Sequence, residues 1–421
     1  MTNAIKQILN KVKKEITPSK EDEWVLTEKV GAAIKKLNSE LKKIKAIAVL
    51  GGSGEKKTWL KGTYEADIFV KFDYKKYSEK SNELSDMLEK KLKKIFGKIE
   101  RIHGSRDYFQ FKKDNFTFEI VPILGIKKVI EAKNITDVSP LHAKWVKKNS
   151  VYVAEIRLAK AFMNANNLYG AESYINGFSG YVCEVLTIYY RSFENLLRNA
   201  VKWKDKQVID VQGYFKRKDA LRYLNKSKTV SPLIVIDPVQ ADRNAAAALS
   251  YEKFELFSEK AKEFLKKPSM DFFVKKDFSI KEIVRKYSDR KIAIIEGKSL
   301  KGKEDVVGTK LLKVFEFLKD KISKSDFNLI DSGWHWDKEK AYFWFIAEKD
   351  ISSIKKHIGP PIQIKKHAID FKKKYKKTFV ENGRVVAEIK AEFTNINDFV
   401  KELVKDEYVE ERVKDAQVMR V

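Results

Sequence analysis

The sequence predicts a multidomain α+β protein in three parts: a mixed α/β head over residues 1–138, a helical centre over 139–268 and an α+β region over 269–421. A chain of 421 residues exceeds what one hydrophobic core usually organises. Its apolar pattern also changes period along its length, from strand-like alternation near residues 107–121, through helical spacing in 152–200, to strands and helices in turn beyond Pro268. With 43% hydrophobic and 12% aromatic residues, the chain can bury such cores and is not a disordered polymer.

The head begins with helical periodicity in residues 4–15 and 27–43, separated by Thr17-Pro18-Ser19, where the proline fits a first helical turn. The apolar run Ala46-Ile47-Ala48-Val49-Leu50 reads as a buried strand. The turn that follows, Gly51-Gly52-Ser53-Gly54, would expose backbone N–H groups suited to a phosphate. About a dozen residues later come Glu65 and Asp67. Residues i and i+2 of a strand project from one face, so both carboxylates can grip the same pair of hard cations.

A two-metal site holds its ions ~3.5–4 Å apart and bridges them with shared ligands, so a third acid is expected from a neighbouring strand. Glu119 is the candidate. Asp107 to Phe111, a turn at Lys112 to Asn115, and Phe116 to Val121 read as a hairpin with period-2 alternation. Phe116, Phe118 and Ile120 then share one face and Thr117, Glu119 and Val121 the other. An acid among such neighbours is costly to bury unless a partner or a metal stabilises it. Strand, phosphate-binding turn and acidic strands together point to a nucleotidyl-transfer site.

Asp137-Val138-Ser139-Pro140-Leu141-His142 marks the boundary to the centre. In the helical stretch that follows, Ile156, Ala159 and Met163 fall on one face and Arg157, Lys160 and Asn164 on another, a polar stripe that faces either solvent or a cleft. Cys183, among Val182, Val185 and Leu186, is a core residue. Residues 231–248 read as an apolar strand stopped by Asp237-Pro238, followed by a helix start. In the last region 291–296, 326–332 and 340–347 read as strands and 309–323 as an amphipathic helix, an α+β sandwich of the kind that often contacts RNA. Trp334-His335-Trp336 reads as strand or hairpin, and five histidines with one cysteine argue against a zinc site.

The net charge of +27 suggests a polyanionic partner, most simply a nucleic acid. Lysine dominates the bias, 73 of the 86 basic residues, so its distribution says more than its total. Between Ile354 and Thr378 stand nine lysines and one acid, Asp370, interleaved with His357, His367, Phe371 and Tyr375; the run is either an RNA-facing surface or a solvated helix face. No uncharged stretch approaches a membrane span, the start lacks an apolar signal core, and a single cysteine suits a reducing cytoplasm.

Taken in order, several motifs resemble the archaeal-type, class I CCA-adding tRNA nucleotidyltransferases of the polymerase-beta superfamily. They are Gly52-Ser53 through Thr58-Trp59-Leu60-Lys61-Gly62 to Glu65 and Asp67; Pro140-Leu141-His142; Leu168-Tyr169-Gly170-Ala171-Glu172; Gly177-Phe178-Ser179-Gly180-Tyr181; Asp237-Pro238; Arg243-Asn244; and His357-Ile358-Gly359-Pro360-Pro361 with His367. The resemblance implies addition of C, C and A to the 3′ end of tRNA from CTP and ATP, without a template and with release of pyrophosphate. It implies that Glu65, Asp67 and Glu119 hold two Mg²⁺ ions. Ser53 and Lys56 fall at positions that contact the triphosphate, and His142, Lys160 and Tyr169 at further nucleotide-binding positions. Arg243 falls where the family places a base-reading arginine, whose fixed donors suit the acceptors of cytosine. The expected partners are the tRNA acceptor arm, CTP and ATP, with a homodimer as one possible assembly.

Three positions depart from the family's pattern: Glu119 stands for aspartate, Lys56 for arginine, and Asn176 for an arginine before the Gly-Phe-Ser-Gly turn. The longer carboxylate shifts its oxygens by a methylene, and lysine keeps the charge but loses the bidentate fork. Two other readings therefore stay open, a related oligoadenylate or poly(A) synthase and a catalytically weakened tRNA-binding protein.

Overall fold

The computed structural model describes residues 2–420, which fold as two compact units, one ending at Lys276 and the other starting at Asp277. The first opens with α1 (Thr2–Ile16) and α2 (Lys20–Leu41), followed by β1 (Ala46–Leu50), α3 (Gly52–Lys56), β2 (Glu65–Phe72) and the short α4 (Tyr74–Tyr77). Next come α5 (Leu84–Phe96), β3 (Glu100–Ile102), β4 (Tyr108–Lys113) and β5 (Phe116–Leu124). The strands form one sheet in the order β1-β2-β5-β4-β3, in which only the β2–β5 pair is parallel. The hairpin appears as expected but turns more tightly, on Asp114 and Asn115 alone, both with positive φ as a two-residue hairpin turn requires. Phe116, Phe118 and Ile120 face the core.

Three local expectations are corrected. Pro18 lies outside the helix that follows, because Ser19 is the cap: its Oγ accepts the Asp22 N–H while the Asp22 carboxylate accepts the Ser19 N–H. That helix starts at Lys20, seven residues before its apolar periodicity suggested, since its first turn is polar. Ile47, in the strand expected to be buried, is 53% exposed. β1 is the sheet's edge, and only its alanines Ala46 and Ala48 are buried.

The same unit continues through α6 (Ser139–Lys148), α7 (Val153–Ala165), α8 (Gly180–Tyr190) and α9 (Phe193–Ala200). β6 (Gln207–Asp210), α10 (Arg217–Tyr223), β7 (Leu233–Asp237), β8 (Gln240–Asn244) and α11 (Tyr251–Lys266) complete it. Ile5, Leu9 and Val12 of α1 join Leu158, Phe162, Phe193, Phe257 and Phe264 in one core, so the first helix packs with these later helices and not with the sheet. The helix start expected after Asp237-Pro238 is instead a return strand, β8, and α11 begins at Tyr251 behind a Ser250 cap. Asn244 explains the stop: its Oδ1 accepts the N–H groups of both Val235 and Ala246, at 2.9 Å each, tying the strand end back onto β7 before a helix can form.

The second unit holds α12 (Ile280–Lys286), β9 (Lys291–Ser299), α13 (Glu304–Ser323), β10 (Leu329–Trp336), β11 (Lys340–Ala347), β12 (Ile354–Pro361), α14 (Lys365–Lys374), β13 (Thr378–Glu381), β14 (Arg384–Lys390), α15 (Ile396–Leu403), α16 (Glu407–Glu410) and β15 (Val413–Val418). The sheet β10-β11-β9-β15 is antiparallel throughout and is ferredoxin-like, with the β12-β14-β13 sheet and α14 inserted after its third strand. His335 stacks on Phe278 at 4.4 Å, as a strand residue in an aromatic cluster. In the lysine run, Lys355 pairs with Asp326 and Lys356 with Glu381, while the lysines of α14 stand exposed.

Candidate active site

Asp67 and Glu119 are direct partners in the parallel β2–β5 ladder, and Glu65 pairs with Thr117 two positions along the same face. The three acids thus come to one face of adjacent strands, as their spacing predicted. Their side chains differ in setting: Glu65 is exposed, Glu119 accepts a hydrogen bond from Gln110 Nε2 across the β4–β5 pair, and Asp67 turns toward the glycine turn. Among the described residues no three His, Cys, Asp or Glu side chains already converge as a metal cage. The donors nonetheless fit a hard divalent cation, because all are carboxylate oxygens on neighbouring backbone positions.

The turn is built around Asp67. The Gly51 N–H donates to the Asp67 carbonyl at 2.8 Å, so one donor expected to await a phosphate is already engaged, and the Ser53 N–H favours the ionised Asp67 carboxylate. Gly52 has φ +53°, and a Cβ there would lie 1.6 Å from Asp67 Oδ2; only glycine lets the backbone lie against this carboxylate. Burial pushes the Asp67 carboxyl up, partly offset by the charges of Lys56 and Lys160 and by the Ser53 N–H. Ser53 itself is half-buried within α3.

Lys56 and Lys160 meet on a residue that sequence reasoning missed. Glu184, on α8 and wholly buried, accepts from Lys56 Nζ at 2.8 Å through Oε2, and from Lys160 Nζ at 2.7 Å and Thr58 Oγ1 at 2.7 Å through Oε1. Lys160 also donates to Thr58 Oγ1 at 2.8 Å. Burial alone would raise the Glu184 carboxyl, but the two ammonium groups bring it down to about 2. Lys160 is pulled both ways, and burial outweighs the attraction of Glu184 and lowers it. A signal existed in the sequence: an acid inside the apolar run Tyr181 to Ile188 must find a cation if the helix is buried.

The polar stripe of α7 is resolved by this network. Arg157 and Lys160 face inward, and Arg157 grips the carbonyls of Lys57 and Trp59 at 2.8 and 3.0 Å, holding the segment after α3; Asn164 is exposed. Tyr169 is 37% exposed as a residue, yet its hydroxyl is buried against Gly180, where a Cβ would lie 2.7 Å from it, and that burial pushes its pKa up. Asn176 has φ +53°, a conformation that asparagine tolerates better than the arginine expected there.

A second group gathers on Asp237, another organiser the sequence did not disclose. His142 Nε2 lies 2.9 Å from Asp237 Oδ2, Arg243 Nη1 donates to the same oxygen at 2.7 Å, and Tyr181 OH donates to Oδ1 at 3.1 Å. The His142 ring packs tilted against Tyr181, their centroids 4.1 Å apart. Burial would raise the Asp237 carboxyl; hydrogen bonding and charge from His142 and the charge of Arg243 outweigh it, so the group lies below its usual range. Tyr181 and Glu184 are three apart on α8, so one helix face carries both groups. A cavity of about 600 Å³ lies elsewhere, lined by Lys29, Lys36, Phe96 and Phe111 on the sheet face opposite the acids.

An acidic pair on parallel neighbouring strands, wrapped by a glycine turn and followed by helices with buried cations, defines the nucleotidyltransferase fold. A solved structure of Cid1, titled for its RNA terminal uridylyl transferase activity, shares this fold with a TM-score of 0.50 at 12% identity, covering 66% of this chain and 99% of that one. Residues 154–274 match the tRNA nucleotidyltransferase second domain, and residues 288–417 the CCA-adding enzyme C-terminal domain. The chain is 37% identical over 349 residues to the CCA-adding enzyme of Nanoarchaeum equitans, covering 82% of this chain and 84% of that one. It is 32% identical over 419 residues to that of Methanocaldococcus jannaschii, covering 95% and 91%. The protein belongs to the family of CCA-adding enzymes, tRNA nucleotidyltransferases.

Proposed function

We propose that the protein adds C, C and A to the 3′ end of tRNA, using CTP and ATP and releasing pyrophosphate. The observation that carries this reading is the Asp67–Glu119 pairing beside Gly52, with Lys56 and Lys160 within electrostatic reach of Asp67. Lys56, Lys160, Ser53 and Tyr169 bind the triphosphate, the two ammonium groups offsetting its charge in a setting with little water to screen it. Mg²⁺, held by Glu65, Asp67 and Glu119, would lower the pKa of the attacking hydroxyl and stabilise charge on the leaving pyrophosphate. His142 and Arg243 receive the base. Arg243 spends one donor on Asp237, which anchors one end of the guanidinium and leaves the others for the acceptor edge.

The three parts, 1–138, 139–268 and 269–421, then serve as catalytic, nucleotide-binding and tRNA-binding regions, the lysines of α14 meeting tRNA phosphates. No helix among the described residues is long and apolar enough to cross a membrane. We read the setting as the cytoplasm and a homodimer as a possible assembly. The test is incubation of the pure protein with tRNA lacking its terminal CCA, labelled CTP or ATP, and Mg²⁺. Ordered incorporation of two C and one A is expected; ATP-only tailing would identify a poly(A)-type enzyme, and no incorporation would overturn the reading.

Base choice is tested separately. Arg243→Ala is expected to slow addition and to raise UTP or GTP misincorporation about tenfold or more, the worth of one lost charged hydrogen bond. Competition with mixed nucleotides measures this, and slowing with unchanged preference would reduce Arg243 to a phosphate or structural contact.

A further inference from the structure

A buried acid that joins one buried and one half-buried lysine does something none of the three could do alone. Each Glu184 oxygen takes one ammonium group, Oε2 from Lys56 on α3 and Oε1 from Lys160 on α7, so the carboxylate spans two elements and sets the separation of their charges. Thr58 closes the network on Oε1. Of its three N–H donors, Lys56 uses one here and Lys160 two, which leaves donors on both groups for an incoming anion. Two lysines against Glu184 alone leave one positive charge, which faces the Asp67 carboxylate in a place of low dielectric.

We propose that Glu184 is a positioning residue for the nucleotide: it fixes Lys56 and Lys160 at one separation and orientation so that both meet the triphosphate together. The proposal rests on the reading of this site given above. Glu184 touches no substrate and acts through the two lysines. It also gives a reason why lysine serves at position 56, since the ammonium is held from behind by a carboxylate and needs no fork of its own to be oriented.

The test is equilibrium dialysis with CTP and Mg²⁺, alongside a filter-binding measurement of tRNA affinity. Glu184→Gln keeps the shape and removes the charge; it should weaken CTP about tenfold or more and leave tRNA affinity within about twofold. In a Lys56→Met, Lys160→Met background the same change should no longer weaken CTP, because the groups it acts through are gone. Glu184→Gln leaves two ammonium groups without their acid and can fail to fold, so Glu184→Asp is the second variant. Its shorter carboxylate cannot span both lysines, and a several-fold loss of CTP affinity in a folded protein is expected. Equal weakening in both backgrounds, or CTP affinity unchanged in Glu184→Gln or Glu184→Asp, would overturn the proposal. Failure of the wild type to bind CTP would instead overturn the reading of the site as a whole.

Discussion

Replacing Asp67 by alanine is expected to abolish nucleotide addition, by about 10³-fold or more, while tRNA lacking CCA still binds and the protein still melts near the wild-type temperature. The magnitude follows from the carboxylate's place in the site. Asp67 faces Glu119 across the parallel pair, is approached by the Gly52 backbone as closely as any residue allows, and lies within reach of Lys56 and Lys160. No neighbouring acid can replace it, because Glu65 is exposed at the strand's start and Glu119 is already hydrogen-bonded to Gln110. Folding should survive, since deleting the carboxylate removes a half-buried acid whose charge desolvation already disfavours. Single-turnover incorporation of labelled CTP, with tRNA affinity by filter binding, measures both halves. Activity within tenfold of wild type would remove Asp67 from the chemistry.

The second large effect concerns stability. Asp137→Ala should cost about 3–5 kcal/mol, the usual penalty for leaving a buried charge without its partner. Asp137 and Arg106 are both buried and form a salt bridge, and the same carboxylate accepts the N–H groups of Leu124 at 2.8 Å, Asn134 at 2.9 Å and Lys133 at 3.1 Å. Arg106 adds bonds to Ser81 and to the Pro122 carbonyl. One side chain therefore ties the end of β5, which carries Glu119, to the segment leading into α6, which carries His142. Urea unfolding followed by tryptophan fluorescence gives the loss directly. A cost below about 1 kcal/mol, the range of an exposed ion pair, would show that water or a neighbour replaces the carboxylate.

The strands that carry the three acids were legible in the sequence for a reason that does not depend on the rest of the chain. Alternation in 116–121 assigned Phe118 and Glu119 to opposite faces, and the i, i+2 spacing put Glu65 and Asp67 together; both follow from strand geometry alone. Arg157 and Lys160 were legible only as a polar stripe. Spacing puts them on one face of a helix but does not say what that face meets, and here it meets the Lys57 to Trp59 segment and Glu184. The expected helix after Asp237 failed because local propensity in an alanine-rich run could not foresee Asn244 bonding back across the strand pair.

By itself, then, the sequence determined the period of each element, the faces on which the acids lie, the excess of positive charge and, through its ordered motifs, the family. The periods and faces are set by neighbours a few residues apart, through backbone geometry, while the charge and the family are read from the whole chain. Only the tertiary structure decided that Glu184 lies between Lys56 and Lys160, 128 and 24 residues away, and that Asp237 collects His142, Tyr181 and Arg243. A buried charge is tolerated only where its partner arrives, and that partner is chosen by packing across the fold, which no local pattern records.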